Sequence, residues 1–361
     1  MPHRFGALAA VLASLALALA WLVASQGPAL ATALPSPGAA PAAVADLAST
    51  GARPGTQVSG MPPYVDDRST GASTVLSYYN ALHRQEYDRA YSYWAPGLVV
   101  SRIGDYQSFK AGFADTEAFS AVLGQTRVDQ GAGQMYNYVP VALTALQSDG
   151  STRAYSICFA LHLASPQIQD DPPFDPWAIE SAQIFRLPDG GNPVGLLGSA
   201  CAGKGFVPPS VSPASNPNDI SGSRYLDDRS TPEEVLRSLF NAVNRKEYDR
   251  AYSYWEANAI GPYATFAAGY ADTASVNLTI GQTRMGAAAG QLYFDVPVTL
   301  VAQNTRLGTQ TYVGCYTLHL SQPAIQDQPP YQPLAIRSAS VRQVPNDAST
   351  TALMARACPS N

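Results

Sequence analysis

The stretch EYDRAYSYW occupies Glu86–Trp94 and recurs without a change at Glu247–Trp255. Its surroundings recur with it. YVDDRSTGASTVLSYYNALHRQ (Tyr64–Gln85) lies over YLDDRSTPEEVLRSLFNAVNRK (Tyr225–Lys246), and the offset stays at 161 from Tyr64/Tyr225 to Trp94/Trp255. Downstream, FKAGFADT matches FAAGYADT, GQTR recurs at Gly124 and Gly281, and SPQIQDDPPFDPWAIESAQI matches QPAIQDQPPYQPLAIRSASV, all at an offset of 157. A four-residue deletion therefore separates two copies of a domain-length unit, which means tandem globular repeats and not a solenoid of short ones. With 361 residues the chain is long enough to close two cores. The expected boundaries are a leader at 1–33, a tether at 34–63, a first repeat at 64–205, a linker at 206–223 and a second repeat at 224–361.

Each repeat opens with a helix signal. Thr231, Pro232 and Glu234 supply an N-cap, a proline at the first helical position and the acid of a capping box. The first repeat keeps Thr70 but has Ser73 where the acid should be, so a weaker cap is expected there. Val235, Leu236, Leu239, Phe240 and Val243 follow with helical spacing, and Tyr248, Ala251, Tyr252 and Trp255 make one face of a second helix. The period then falls to two. Val276, Leu278 and Ile280 alternate with polar residues, as do Leu292 to Leu300 and Tyr312 to Leu320, and AIRSASVRQV adds a further strand. Helices first and antiparallel strands after them define an α+β class, with helices on one face of a curved sheet.

The N-terminal segment is expected to direct the chain out of the cytoplasm. Arg4 precedes an apolar run from Phe5 to Ala24, followed by A-x-A sites at Ala29–Ala31 and Ala31–Ala33. At about 20 residues the run also has the length of an uncleaved membrane anchor, the alternative to cleavage. The Ala/Pro-rich stretch behind it is too poor in large apolar groups to form a core and is expected to be a disordered tether. Net charge is −5, from 22 basic and 27 acidic residues, with no basic run, which argues against nucleic acid as a partner.

The helix pair ending in A-Y-x-x-W, followed by FAAGYADT and antiparallel strands, resembles the NTF2-like (cystatin-like α+β cone) superfamily, in particular its exported bacterial members. The resemblance covers both repeats, Tyr64–Leu187 and Tyr225–Val344. It implies two tandem cones, pairing of the two repeats with each other in the manner of dimers formed through the sheet face, and a conical pocket. It also implies functions from ketosteroid isomerase, polyketide cyclase or dehydratase to inert binding modules, so membership does not by itself decide catalysis. Within it, Tyr87, Tyr91, Trp94, Tyr248, Tyr252 and Trp255 are read as a packing face that braces each cone, because an aromatic stripe at helical spacing is usually core.

Cys201 follows Cys158 by 43 residues, as Cys358 follows Cys315. In an exported protein four cysteines imply disulfides, and of the three connectivities duplication preserves Cys158–Cys201 with Cys315–Cys358. No C-x-x-C pair supports zinc, and neither a metal nor a cofactor is expected. His162 and His319 stand at matched positions four residues after Cys158 and Cys315, on the cysteine side of their strands. If that side faces the cone they are its polar groups; the competing reading is a satisfied imidazole on a sheet face. Asp115 and Asp272, in the two ADT triplets, are candidate bases that also suit a turn. GSACAGKG has Gly205 where a P-loop needs Ser or Thr, and G-x-S-x-G, H-E-x-x-H, EF-hand and S-x-x-K patterns are absent. The expectation is a non-catalytic binding or interaction protein of the cell envelope, taking a small apolar molecule, a peptide or an envelope protein. A cone enzyme is the alternative.

Overall fold

The computed structural model describes residues 62–202, 220–222 and 224–358. The expected leader, nearly all of the tether and most of the linker lie outside the described residues. Both repeats belong to one compact unit.

The first repeat runs α1 (Gly71–His83), α2 (Tyr87–Ser92), α3 (Val99–Ile103), α4 (Tyr106–Ala111), β1 (Thr116–Leu123), β2 (Arg127–Gly131), β3 (Gln134–Gln147), β4 (Thr152–Ala164) and β5 (Ala178–Arg186). The second runs α5 (Pro232–Arg245), α6 (Tyr248–Ser253), α7 (Tyr263–Ala268), β6 (Thr273–Ile280), β7 (Arg284–Ala288), β8 (Gln291–Asn304), β9 (Gly308–Ser321), β10 (Ala335–Val344) and α8 (Thr350–Met354). Each repeat has a five-stranded antiparallel sheet. The orders are β1-β3-β4-β5 with β2 also on β3, and β6-β8-β9-β10 with β7 also on β8. The fold is thus α+β, two sheets each with helices on one face. The four-residue difference between repeats falls where α3 stands in the first.

Alternation decides which face is buried. Ile157, Phe159, Leu161 and Leu163 of β4 join Val139, Val141 and Leu143 of β3 against Val75, Tyr78, Tyr79 and Leu82 of α1. The second repeat repeats this with Tyr316, Leu318 and Leu320 against Val235, Leu236, Leu239, Phe240 and Val243. The helix caps depart from expectation. Ser73 closes a reciprocal box with Thr70, each backbone N–H reaching the other's hydroxyl at 3.0 Å, because a short hydroxyl serves as well as a carboxylate at that distance. In the second repeat Thr231 accepts from the Glu234 amide while the Glu234 carboxylate holds Arg237.

The second helix of each repeat is shorter than its spacing predicts. It ends at Ser92 and Ser253, and Trp94 and Trp255 already make bridges to Ile179 and Ile336. Besides Ala90 and Ala251 of the expected face, EYDRAYSYW buries completely two residues that lie off it. Arg89 and Arg250 are fully buried, as are Tyr93 and Tyr254. The Arg89 guanidinium donates to Glu86 Oε2 (2.7 Å), Asn80 Oδ1 (2.8 Å), the Val65 carbonyl (2.5 Å) and Tyr93 Oη (3.3 Å), and lies over the Tyr64 ring. Tyr93 donates in turn to Asp66 Oδ1 at 2.7 Å. Arg250 repeats the set with Glu247, Asn241, Leu226, Tyr254 and Tyr225, and Tyr254 donates to Asp227 at 2.9 Å.

The two repeats are hydrogen-bonded to each other through the DDRS segments, not through sheet faces. Asp67 and Asp228 form an antiparallel bridge. Around it the Arg68 amide donates to the Asp227 carbonyl and the Arg229 amide to the Asp66 carbonyl, both at 2.7 Å. The Asp66 and Asp227 amides donate to Ser230 Oγ and Ser69 Oγ at 2.8 and 2.9 Å. Contacts further out are Tyr64 with Tyr331, hydroxyl to hydroxyl at 2.8 Å, and Gln167 Nε2 donating to Glu247 Oε1 at 2.9 Å. Asp67 and Asp228 each accept the amide two residues on, at 2.8 Å, while their backbones join the repeats.

Two outcomes follow from this packing. Arg250→Met leaves Glu247 buried without its main counter-charge and is expected to cost about 3–5 kcal/mol, read as the fall in urea unfolding free energy. Arg250→Lys is expected to recover little, because an ammonium cannot reproduce the guanidinium fork. The second outcome concerns pH. Burial, then the charge of Asp67, pushes the Asp228 carboxyl up to about 8, with Glu234 adding to the rise and Ser230 opposing it. Burial also raises Asp67, and raises Asp88 and Asp249 to about 6. All are acids whose folded values exceed their unfolded ones. Their stabilising contribution is complete below pH about 4 and is lost as pH rises to about 8. The urea midpoint is expected to fall between pH 6 and 8.5, and Asp228→Asn to flatten that fall.

Candidate functional site

A cavity of about 220 Å³ opens between the helices and the sheet of the first repeat. Its walls follow from the alternation of the strands. The same side of β4 that fills the core places Tyr155, Ile157 and Phe159 along it; α1 contributes Tyr78, Tyr79 and Leu82, and Trp94 closes one wall. Toward one end the lining turns polar, with Asp115, Thr116, Gln147 and Arg153. Ala182 and Ile184 of β5 complete the rim. The aromatic rings are held edge-on to one another: Tyr78 lies 6.3 Å from Trp94 and 6.0 Å from Phe159, and Tyr79 6.0 Å from Phe159. Burial pushes the Tyr78 and Tyr79 hydroxyls well above the usual tyrosine range, so both remain donors. The Trp94 indole N–H is buried without an acceptor, as is that of Trp255.

Of the residues singled out from the sequence, Asp115 and Trp94 line this cavity. His162 does not. Ile157, Phe159 and Leu161 take the core side of β4, so Cys158 and His162 occupy the other side, and the pocket role considered for His162 gives way to the satisfied imidazole. Its Nε2 meets Gln134 Oε1 at 2.6 Å, Nδ1 faces Glu180 at 3.4 Å, and the ring lies against Tyr136. His319 matches it on β9, between Gln291 (2.7 Å) and Glu256 (2.5 Å) and stacked on Tyr293. Asp272 is taken up by an ion pair with Arg306 at 2.5 Å. Tyr87 stacks on Phe113, Tyr91 meets Tyr106 and Phe109 edge-on, and Tyr248 and Tyr252 repeat those contacts with Tyr270, Tyr263 and Phe266. These four fasten α2 to α4 and α6 to α7, or to the turns just after them. Trp255 packs against Tyr316.

The second repeat differs at the positions that shape the cavity. Leu239 stands for Tyr78, Val276 for Phe119, Gln310 for Arg153 and Gly314 for Ile157. A Cβ on Gly314 would collide with the Ser340 carbonyl oxygen and lie 2.8 Å from Val341 Cγ2, so β10 packs there at a distance that only glycine permits. Residue spacing alone did not reveal the cavity. The signal was the loss of identity between repeats at these inward positions, set against identity in the buried polar network.

The outer side of each sheet is crossed by the C-terminal tail of its repeat, held by Cys158–Cys201 and Cys315–Cys358. That is the pairing the equal spacing favoured, and two disulfides suit an extracytoplasmic protein. Among the described residues no helix is long and apolar enough to cross a membrane, and no group of three or more His, Cys, Asp or Glu side chains is placed to hold a metal ion. Fold and site together define a disulfide-linked tandem α+β protein whose first repeat contains a small aromatic cavity. No protein-family model, curated protein or solved structure matches the chain.

Replacing Cys315 and Cys358 together by serine removes a crosslink closing a 43-residue span. The expected loss is about 4 kcal/mol by the loop-entropy relation, measured as unfolding free energy in urea. Peptide mapping without reductant is expected to recover only the two pairs within repeats.

Proposed function

We propose that this chain is an extracytoplasmic, non-catalytic binding protein built from two NTF2-like repeats. The first repeat receives a small, largely apolar molecule, and the second serves as its brace. The observation that carries the reading is the cavity in the first repeat, apolar over most of its wall and polar at one end, the usual composition of a small-molecule site. Its volume is somewhat above the ~150 Å³ known to admit benzene, so the occupant is a molecule of one ring, or two small ones. The expected leader and the disulfides support a place outside the cytoplasm. The NTF2-like resemblance is supported by the order of elements, helices first and then an antiparallel sheet that they cover on one face.

The cone-enzyme alternative draws on one observation, the carboxylate of Asp115 in the cavity lining. General acid–base chemistry needs a second group poised against it. The other ionisable side chains of the lining are Arg153 and tyrosines, and burial raises Tyr78 and Tyr79 away from any role as base at neutral pH.

A thermal-shift screen of one- and two-ring apolar compounds tests the reading. A ligand at 100 times its Kd is expected to stabilise the fold by about 2.7 kcal/mol. Ala145→Phe, which fills the cavity, is expected to abolish the shift, whereas His162→Ala leaves it intact. Multiple turnovers on any such ligand, lost in Asp115→Asn, would replace the binding reading by the enzymatic one.

A further inference from the structure

The polar end of the cavity differs from its counterpart in the second repeat in what its side chains are bound to. Strand register gathers these groups on one face. Arg153 pairs with Ala145 across β3 and β4, as Tyr155 pairs with Leu143, and Gln147 pairs with Thr116 across β1 and β3. Alternation along β3 and β4 therefore sets Arg153 and Gln147 on the side that Leu143, Ala145 and Tyr155 present to the cavity, and with Thr116 they line it. None of these three side chains has a hydrogen bond or an ion pair among the described residues. Gln147 is only 3% exposed, so its amide is a buried polar group without a partner in the protein. Arg153 is half-buried, and its charge reaches only as far as helping to lower the exposed Asp149 carboxyl, behind the hydrogen bonds from Ser151. The second repeat has bound the equivalent groups internally. Asn304, in the place of Gln147, accepts the Arg306 and Leu307 amides, both at 2.9 Å, and Gln310, in the place of Arg153, accepts the Tyr312 hydroxyl at 3.0 Å.

We propose that the ligand of the first repeat is a monocarboxylic acid carrying one aromatic ring, an assignment that rests on the binding reading of the cavity. Its ring lies among Tyr78, Tyr79 and Phe159, and its carboxylate lies on Arg153, with the Gln147 amide and the Thr116 hydroxyl as further donors. The unpartnered groups of half-buried Arg153, buried Gln147 and Thr116 are all able to donate, and a carboxylate offers two oxygens with about four acceptor sites to meet them. The guanidinium fork matches that geometry with two parallel bonds. A neutral ring would leave the guanidinium and the amide without partners, and an amine would bring a second positive charge to Arg153. Asp115 is the one acid of the lining, but it is exposed, so water screens it from whatever sits beside Arg153. Size agrees, because about 220 Å³ exceeds the ~150 Å³ that admits benzene by enough for a short acidic arm.

The test is calorimetric titration of the disulfide-linked protein with phenylacetate, phenylacetamide and phenethylamine, which share a ring and differ in the charge of the arm. The acid is expected to bind about tenfold tighter than the amide, and the amine to bind weakest. Arg153→Gln, which copies the second repeat, is expected to erase the advantage of the acid over the amide while keeping the wild-type circular dichroism spectrum. Arg153→Lys is expected to keep only part of that advantage, since an ammonium lacks the fork. Equal affinity for acid and amide, or an acid preference that survives Arg153→Gln, would overturn the carboxylate assignment and leave the apolar cavity reading in place. A preference for the amine would overturn it in favour of Asp115 as the selecting charge. Binding of none of the three would overturn both the assignment and the cavity reading beneath it.

Discussion

A guanidinium buried beyond the reach of water must find its hydrogen bonds in the protein, and the rest of this structure is arranged around two of them. Arg89 joins the second helix to Asn80 of the first, to the backbone of the N-terminal segment at Val65 and, through Tyr93, to the Asp66 carboxylate. Asp66 then offers its main chain to the other repeat. One side chain therefore fixes the angle between two helices and the position of the strand that joins the repeats. Arg250 does the same from the opposite side. With the donors of Arg89 tied to acceptors on the first helix, on the N-terminal segment and at both ends of its own helix, little can change at one point without stranding a charge elsewhere. That is the physical reason why EYDRAYSYW stands unchanged in both copies while the sheets around it have diverged.

The approximate two-fold relation is carried by this polar seam, since each DDRS segment gives an amide and takes one from its counterpart. The sheets are left free of that duty. Their inner faces close over the helices, their outer faces are crossed by the disulfide-linked tails, and they have changed independently. The first repeat has large rings on the helix side and an isoleucine on β4, and these line its cavity. The second has a glycine at the place of that isoleucine, where the Ser340 carbonyl lies too close for any side chain.

The same divergence marks the exposed edges. β10 bears arginines that discourage pairing, whereas β5 presents isoleucine and phenylalanine next to the mouth of the cavity. Cavity rim and open edge lie on one strand and share Ala182 and Ile184.

The sequence by itself determined what depends on period and on equality. The alternation of Leu292 to Leu300 named the buried side of β8, the spacing of Val235 to Val243 named the face of α5, and the equal separation of the cysteines favoured the pairing of the disulfides. These are local or arithmetic properties, legible without coordinates. Tertiary structure decided the rest. Period two sets His162 on the side of Cys158 but does not say which side the helices cover, and packing turned that side outward. Helical spacing singled out Tyr87, Tyr91 and Trp94, but could not show that Arg89 and Tyr93 are sealed in by a segment 24 to 27 residues earlier and by the other repeat. Neither could it show the cavity of the first repeat, because a cavity is a property of the distance between elements, and distance between elements is set by everything packed around them.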